Sequence, residues 1–66
     1  MIHFTPKELG VIEALAQNPD ITDAGIASEL GVARATVRAH LRHMMLKAGV
    51  KTRTGLLMTY LEGQSD

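Results

Sequence analysis

The chain has no cysteine and no tryptophan among its 66 residues, and its formal charge at neutral pH is zero. Without cysteine there is neither a disulfide nor a thiolate metal site, and the composition suits a reducing compartment. Zero net charge argues against an indiscriminate polyanion binder, so a nucleic-acid role must rest on where the charges sit. No apolar run approaches the ~20 residues needed to cross a bilayer, and no basic segment followed by an apolar one opens the chain. A soluble cytoplasmic protein with no membrane partner is expected. Linkers, repeats, low-complexity stretches and β-branched alternation over strand lengths are also missing.

Enzyme chemistry finds no support either. No serine stands in a recognisable pattern with a histidine and an acid, no glycine-rich phosphate loop is present, and paired carboxylates in an apolar setting are lacking. No cofactor is expected. His40 and His43 are three apart and share the chain with His3. Their surroundings are cationic and supply no carboxylate to orient a metal-bound imidazole, so no metal site is read here. Sixty-six residues form one small domain, 1–66, that hides only about 60% of its unfolded surface. Such a core is marginal and leaves room for support from a partner subunit.

What the chain does have is segregated charge. From Glu29 to Glu62 no acidic residue intervenes, while Arg34, Arg38, Arg42, Lys47, Lys51 and Arg53 give that stretch +6. The first 29 residues carry Lys7 against Glu8, Glu13, Asp20, Asp23 and Glu29, a net −4. The basic stretch contains Arg34 to Ala48, whose spacing predicts a two-faced helix. Val37, Leu41, Met44 and Ala48 fall in one stripe at about 100° per residue. Arg34, Arg38 and Arg42 step along the far side, Thr36, His43 and Lys47 take the other flank, and Ala35 and Ala39 lie between. A solvated helix usually interleaves charge signs for i,i+4 support, and this one does not. Small residues between arginines let a helix sit deep in a groove while its cations reach sideways.

The other helices follow from their ends. Phe4-Thr5-Pro6-Lys7-Glu8-Leu9 offers Thr5 as N-cap, Pro6 at N1, Glu8 closing a capping box and Phe4 stapled to Leu9. This first helix is expected over about 6–17, with Leu9, Ile12, Leu15 and Ala16 inward, Val11 at the margin, and Lys7 and Glu13 in water. Asn18-Pro19-Asp20 ends it. A second helix over 23–30 is expected, capped by Thr22, with Ile26, Ala27 and Leu30 inward. Gly25 costs it about 1 kcal/mol relative to alanine. Gly31 and Gly49 are expected to be left-handed stops, with Val32 tucked under the first turn and Val50 capping the core. Ala33 cannot cap the third helix. Thr52 can cap a fourth, about 53–62, whose Leu56, Leu57, Met58, Tyr60 and Leu61 cover more than one face. One face packs inward, and Leu57, Met58, Tyr60 and Leu61 are candidates for a dimer seam. Residues 63–66 are expected to fray.

The result is an all-α, four-helix domain. Ala27, Gly31 and Val37 stand at helix-turn-helix spacing: a small residue where helices cross, glycine in the turn, and a β-branched residue locking the second helix. The run from Phe4 to Leu61 resembles the LuxR-type, or GerE-type, DNA-binding domain. The resemblance is carried by Phe4-Thr5-Pro6-Lys7-Glu8, Ile26-Ala27 with Leu30-Gly31-Val32, Thr36-Val37-Arg38-Ala39-His40-Leu41, Lys47-Ala48-Gly49-Val50 and Arg53-Thr54.

That likeness implies that helices 2 and 3 form a helix-turn-helix, that helix 3 reads the major groove of double-stranded DNA, and that helix 4 pairs two subunits. It puts Arg38, Ala39 and Arg42 against bases and Thr36 and Lys47 against the sugar-phosphate backbone. His40 takes a structural or phosphate-contacting role, and Arg34 and His43 complete the DNA-facing set. The chain departs from the pattern at Asp23, Ala24 and Gly25, where the family usually has polar and basic residues followed by glutamate. Ala33 replaces the usual capping serine, and Gly55 a residue that is often glutamate. Asp23 suits the helix dipole but repels a docking phosphate, so binding weaker than typical, or dependent on cooperative dimers, is expected. No receiver or ligand-sensing segment is visible. If 66 residues is the whole protein, regulation must come from abundance, dimerisation or another protein. The alternative reading is a small interaction protein forming mixed dimers with larger LuxR-type regulators and holding them off their sites.

Overall fold

A computed structural model describes residues 3–64 of the chain. Four helices follow in order: α1 (Pro6–Gln17), α2 (Asp23–Leu30), α3 (Arg34–Ala48) and α4 (Arg53–Gln64). Their starts obey local chemistry. The Thr5 hydroxyl accepts from the Glu8 amide and Glu8 Oε1 accepts from the Thr5 amide, so the capping box is closed in both directions. Thr22 accepts from the Gly25 amide and Thr52 from the Gly55 amide. Gly31 and Gly49 adopt φ of 68° and 70°, and the amides of Val32 and Val50 reach back to the carbonyls of Ala27 and Met45. These are the left-handed closures that glycine permits without a Cβ clash. α4 runs two residues beyond its expected end, through Gly63, so residues 63 and 64 are helical rather than frayed. The fraying expected of Ser65 and Asp66 lies outside the described residues.

The core is made by Val11, Ile12 and Leu15 of α1, Ile26 of α2, Val37 and Met44 of α3 and Leu56 of α4, all fully buried, with Ala14, Ala27 and Leu41 beside them. Val50 and Ala48 pack against this cluster as the sequence predicts. Four positions differ from expectation. Leu9 is exposed and Val11 is fully buried, because α1 is turned so that Glu8, rather than Leu9, occupies the inward row with Val11, Ile12 and Leu15. Leu30 is exposed. Its methyl groups lie beside the open backbone of Gly10, 3.7–4.0 Å from where a Cβ there would stand. Val32 is also exposed instead of tucked beneath the turn. Phe4 packs on the core, and Ala16 is half-buried.

A carboxylate in the inward row needs a partner. Glu8 is only 4% exposed, and its Oε1 lies 2.6 Å from Lys47 Nζ. The same ammonium donates to the His3 carbonyl at 3.3 Å and stands 5.9 Å above the Phe4 ring. One contact cluster therefore ties the start of α1 to the last turn of α3. Burial pushes the Glu8 carboxyl up, but the Lys47 ammonium together with the amide and hydroxyl of Thr5 outweighs it and holds the group below its ordinary value of 4.5.

Two glycines in helix interiors have different reasons. A Cβ at Gly25 would meet Ile21 Cγ1 at 2.8 Å, so glycine is what lets Ile21 fold back over the start of α2. A Cβ at Gly10 would make only ordinary contact with Leu30.

Three measurements of thermal unfolding follow from these arrangements. Ala33 stands at the N-cap of α3 with extended φ −75° and ψ 150° and makes no side-chain cap. Ala33→Ser is therefore expected to stabilise by about 1 kcal/mol, a rise of roughly 4–8 °C in Tm for a domain of this size. An unchanged or lower Tm would mean that the start of α3 gains nothing from a hydroxyl. Gly10→Ala should also stabilise, by up to about 1 kcal/mol, whereas Gly25→Ala should destabilise; equal signs for the two would contradict the packing around Ile21. Because the Glu8 pKa is lowered in the folded state, its contribution is complete above the unfolded value and is lost as pH falls below 4.5 through the folded value. Glu8→Gln should cost about 1–3 kcal/mol at neutral pH and flatten the decline in Tm on acidification. Parallel acid limbs in the two proteins would refute the pairing.

Candidate nucleic-acid interface

α3 places its two halves in different media. Val37, Leu41 and Met44 are buried, while Arg34, Ala35, Thr36, Arg38, Ala39, Arg42, His43 and Lys47 are exposed and His40 is half-buried at the edge. The helix is 15 residues long, about 22 Å at 1.5 Å per residue. α2 crosses it through the turn at Gly31, with Ala27 and Val37 both buried at the crossing side. The small exposed Ala35 and Ala39 leave the centre of the outward face low, and arginines stand along one side of it.

Within this set the environments are unequal. Arg42 is exposed and has no ion pair among the described residues. Arg34 is exposed and, with Arg38 and Arg53, lines an open depression whose other wall is Thr22, Asp23 and Ala24 at the start of α2. Arg38 is 70% exposed, but its Nε lies 3.9 Å from Asp23 Oδ2. That distance and exposure describe a light tether that leaves the guanidinium available to another partner. Lys47 is the outlier. Two of its N–H groups are directed to Glu8 and His3, which leaves one for an external acceptor. Much of its positive charge is balanced internally.

Two features stand outside the sequence-based expectations. Arg53 begins α4, yet its Nη2 donates to the Ile21 carbonyl and its Nη1 lies 3.4 Å from Asp23 Oδ1, so it fastens α4 to the start of α2. Thirty residues separate Arg53 from Asp23, and only the departure from the family pattern at Asp23 hints at the pairing. Leu46 is 73% exposed on the same line as Ala35, Ala39 and Arg42, at i, i+4, i+7 and i+11. Its spacing could have revealed this, since it stands opposite Val37 and Met44.

On α4 the four proposed seam residues divide. Leu57 and Tyr60 are half-buried against the chain's own core, while Met58 and Leu61 are 55% and 46% exposed. Among the described residues no group of three or more His, Cys, Asp or Glu converges, and no helix is long and apolar enough to cross a membrane.

The family model for bacterial regulatory proteins of the luxR family matches residues 3–60. The spore germination protein GerE of Bacillus subtilis (strain 168) is 42% identical over 58 residues, which are 88% of this chain and 76% of that protein. The nitrate/nitrite response regulator protein NarP of Escherichia coli (strain K12) is 33% identical over 59 residues, or 89% of this chain. The chain spans only 26% of NarP. No solved structure matches the chain. A four-helix architecture with a helix-turn-helix crossing at Ala27 and Val37, matched by the family model over nearly its whole length, shows that this chain belongs to the luxR family of bacterial regulatory proteins.

Proposed function

We propose that the chain is a sequence-specific, double-stranded DNA-binding transcription regulator that lays α3 in the major groove and acts as a homodimer through α4. The observation that carries this reading is the outward face of α3: three arginines beside two exposed alanines, with no acidic residue anywhere on that helix. An arginine fork matches the O6 and N7 acceptors of guanine, each good pair contributing about 1–3 kcal/mol of discrimination. Arg38 and Arg42 are the base readers in this proposal, with Ala39 giving the close approach. Arg34, Thr36, His40, His43 and the remaining N–H of Lys47 meet the sugar-phosphate backbone, which sets register and salt dependence without carrying sequence. Met58 and Leu61, with the outer edges of Leu57 and Tyr60, form the seam between subunits. Two bound copies then require half-sites about one helical turn apart or a related spacing. The cytoplasm is the compartment of this proposal.

A second reading is favoured by the same exposed Met58 and Leu61 and by Asp23 standing where a phosphate would dock. In it the chain forms mixed dimers with larger luxR-family regulators and keeps them from their sites.

Selection from random duplexes followed by titration at low and moderate salt separates the two readings. Salt-sensitive binding with a preferred sequence supports the DNA reader, and its absence supports the antagonist. Arg38→Ala should remove about 1–3 kcal/mol of sequence preference, whereas Arg34→Ala should weaken selected and scrambled duplexes alike and flatten the salt dependence. Equal losses on both duplexes for Arg38→Ala would remove it from the base readers. Replacing Met58 and Leu61 together by aspartate should lower the mass in solution to that of one chain while leaving Tm within a few degrees; an unchanged mass would discard the seam.

A further inference from the structure

Asp23 has two guanidinium neighbours and an unusual lack of hydrogen bonds. Its Oδ1 is buried, lies 3.4 Å from Arg53 Nη1 and accepts no hydrogen bond, and its Oδ2 lies 3.9 Å from Arg38 Nε. Arg53 is fixed independently, because its Nη2 donates to the Ile21 carbonyl. A relay therefore runs from a rigid backbone carbonyl through Arg53 to Asp23, and from Asp23 by charge alone to Arg38. The carboxylate draws on the Nε side of Arg38, which leaves the paired Nη ends of that fork free. Those are the groups a guanine edge would receive.

We propose that Asp23 is a positioning residue for Arg38: it aims the guanidinium along α3 and so sets the base preference of the domain, at the expense of general affinity for phosphate. This inference rests on the DNA-binding reading above. A lone exposed arginine samples many rotamers and reaches phosphates and bases alike, whereas one leaning on a fixed carboxylate presents fewer. The tether is loose, and the 70% exposure of Arg38 lets a duplex take the fork without dismantling the fold. The same negative charge, in the first turn of α2, discourages a phosphate from occupying the depression lined by Arg34 and Arg38.

The test compares Asp23→Asn with Asp20→Asn, which removes the same unit charge from the same depression but from a residue with no ion pair among the described residues. Each protein is titrated with the selected duplex and with a scrambled one. Asp23→Asn is expected to reduce the ratio of selected to scrambled affinity by about two- to fivefold, the range a single exposed ion pair supports, mainly by raising affinity for the scrambled duplex. Asp20→Asn should move both affinities together and leave the ratio as it was. In an Arg38→Ala background, Asp23→Asn should no longer change the ratio. Thermal melting reports whether each variant folds. Should Asp23→Asn fail to fold, Asp23→Glu keeps a carboxylate for Arg53 while displacing it by one methylene, and the ratio should fall there as well. A ratio unaffected by the change at Asp23, altered equally by Asp20→Asn, or still altered without Arg38 overturns the inference while the DNA reading stands. Absence of salt-sensitive binding by the unaltered chain overturns both together.

Discussion

One helix must satisfy two media at once, and the rest of the molecule is built to let it. Val37, Leu41 and Met44 hold α3 against Ile12, Leu15, Ile26 and Leu56, so the opposite side has nowhere to go but outward. In a domain of this size the apolar cluster is small, and its stabilisation is correspondingly thin. The polar devices around it therefore matter more than they would in a larger protein. A capped and boxed start on α1, threonine caps on α2 and α4, and glycine closures on α2 and α3 each satisfy backbone groups that a short helix otherwise leaves to water.

Charge is organised along the same division. Two acids of the first half are drawn to particular cations of the second. Glu8 takes the ammonium of Lys47 on the inner side of the last turn of α3, and Asp23 takes Arg53 and lightly restrains Arg38. On the outward face of α3, Arg34 and Arg42 have no ion pair among the described residues. Formal neutrality thus conceals a directional surface, cationic where α3 faces solvent. A field of this kind acts on a polyanion locally, and its reach is set by ionic strength.

Much of this fold was legible in the residues, and the reasons are local ones. Thr5-Pro6 with Glu8, Gly31, Gly49 and Thr52 mark ends through chemistry that spans three or four residues, and the observed helix bounds follow them closely. The stripe on α3 is a matter of period alone. What escaped depended on residues far apart in the chain. The inward turn of Glu8, and with it the exchange of Leu9 for Val11 in the buried row, requires an ammonium 39 positions later. Leu30, 39% exposed, rests its methyl groups beside the bare backbone of Gly10 on another helix, a neighbour its own helix does not reveal. For the outward face, position could be read from the sequence, but the states of Arg38 and Lys47 could not, since they are decided by Asp23 on α2 and Glu8 on α1. Membership in the luxR family was carried by motifs spread over nearly the whole chain, which is why it survives these local departures.

The two left-handed glycines that bracket α3 carry a wider consequence. Gly31 ends α2 just ahead of it and Gly49 ends α3 itself, through closures made by backbone alone, so the ends they set owe nothing to Arg34, Ala35, Ala39 or Arg42. Positions 34, 35, 39 and 42 are in that sense interchangeable letters on a fixed frame. A chain of this design is free to change the message it carries on that surface while keeping the same scaffold.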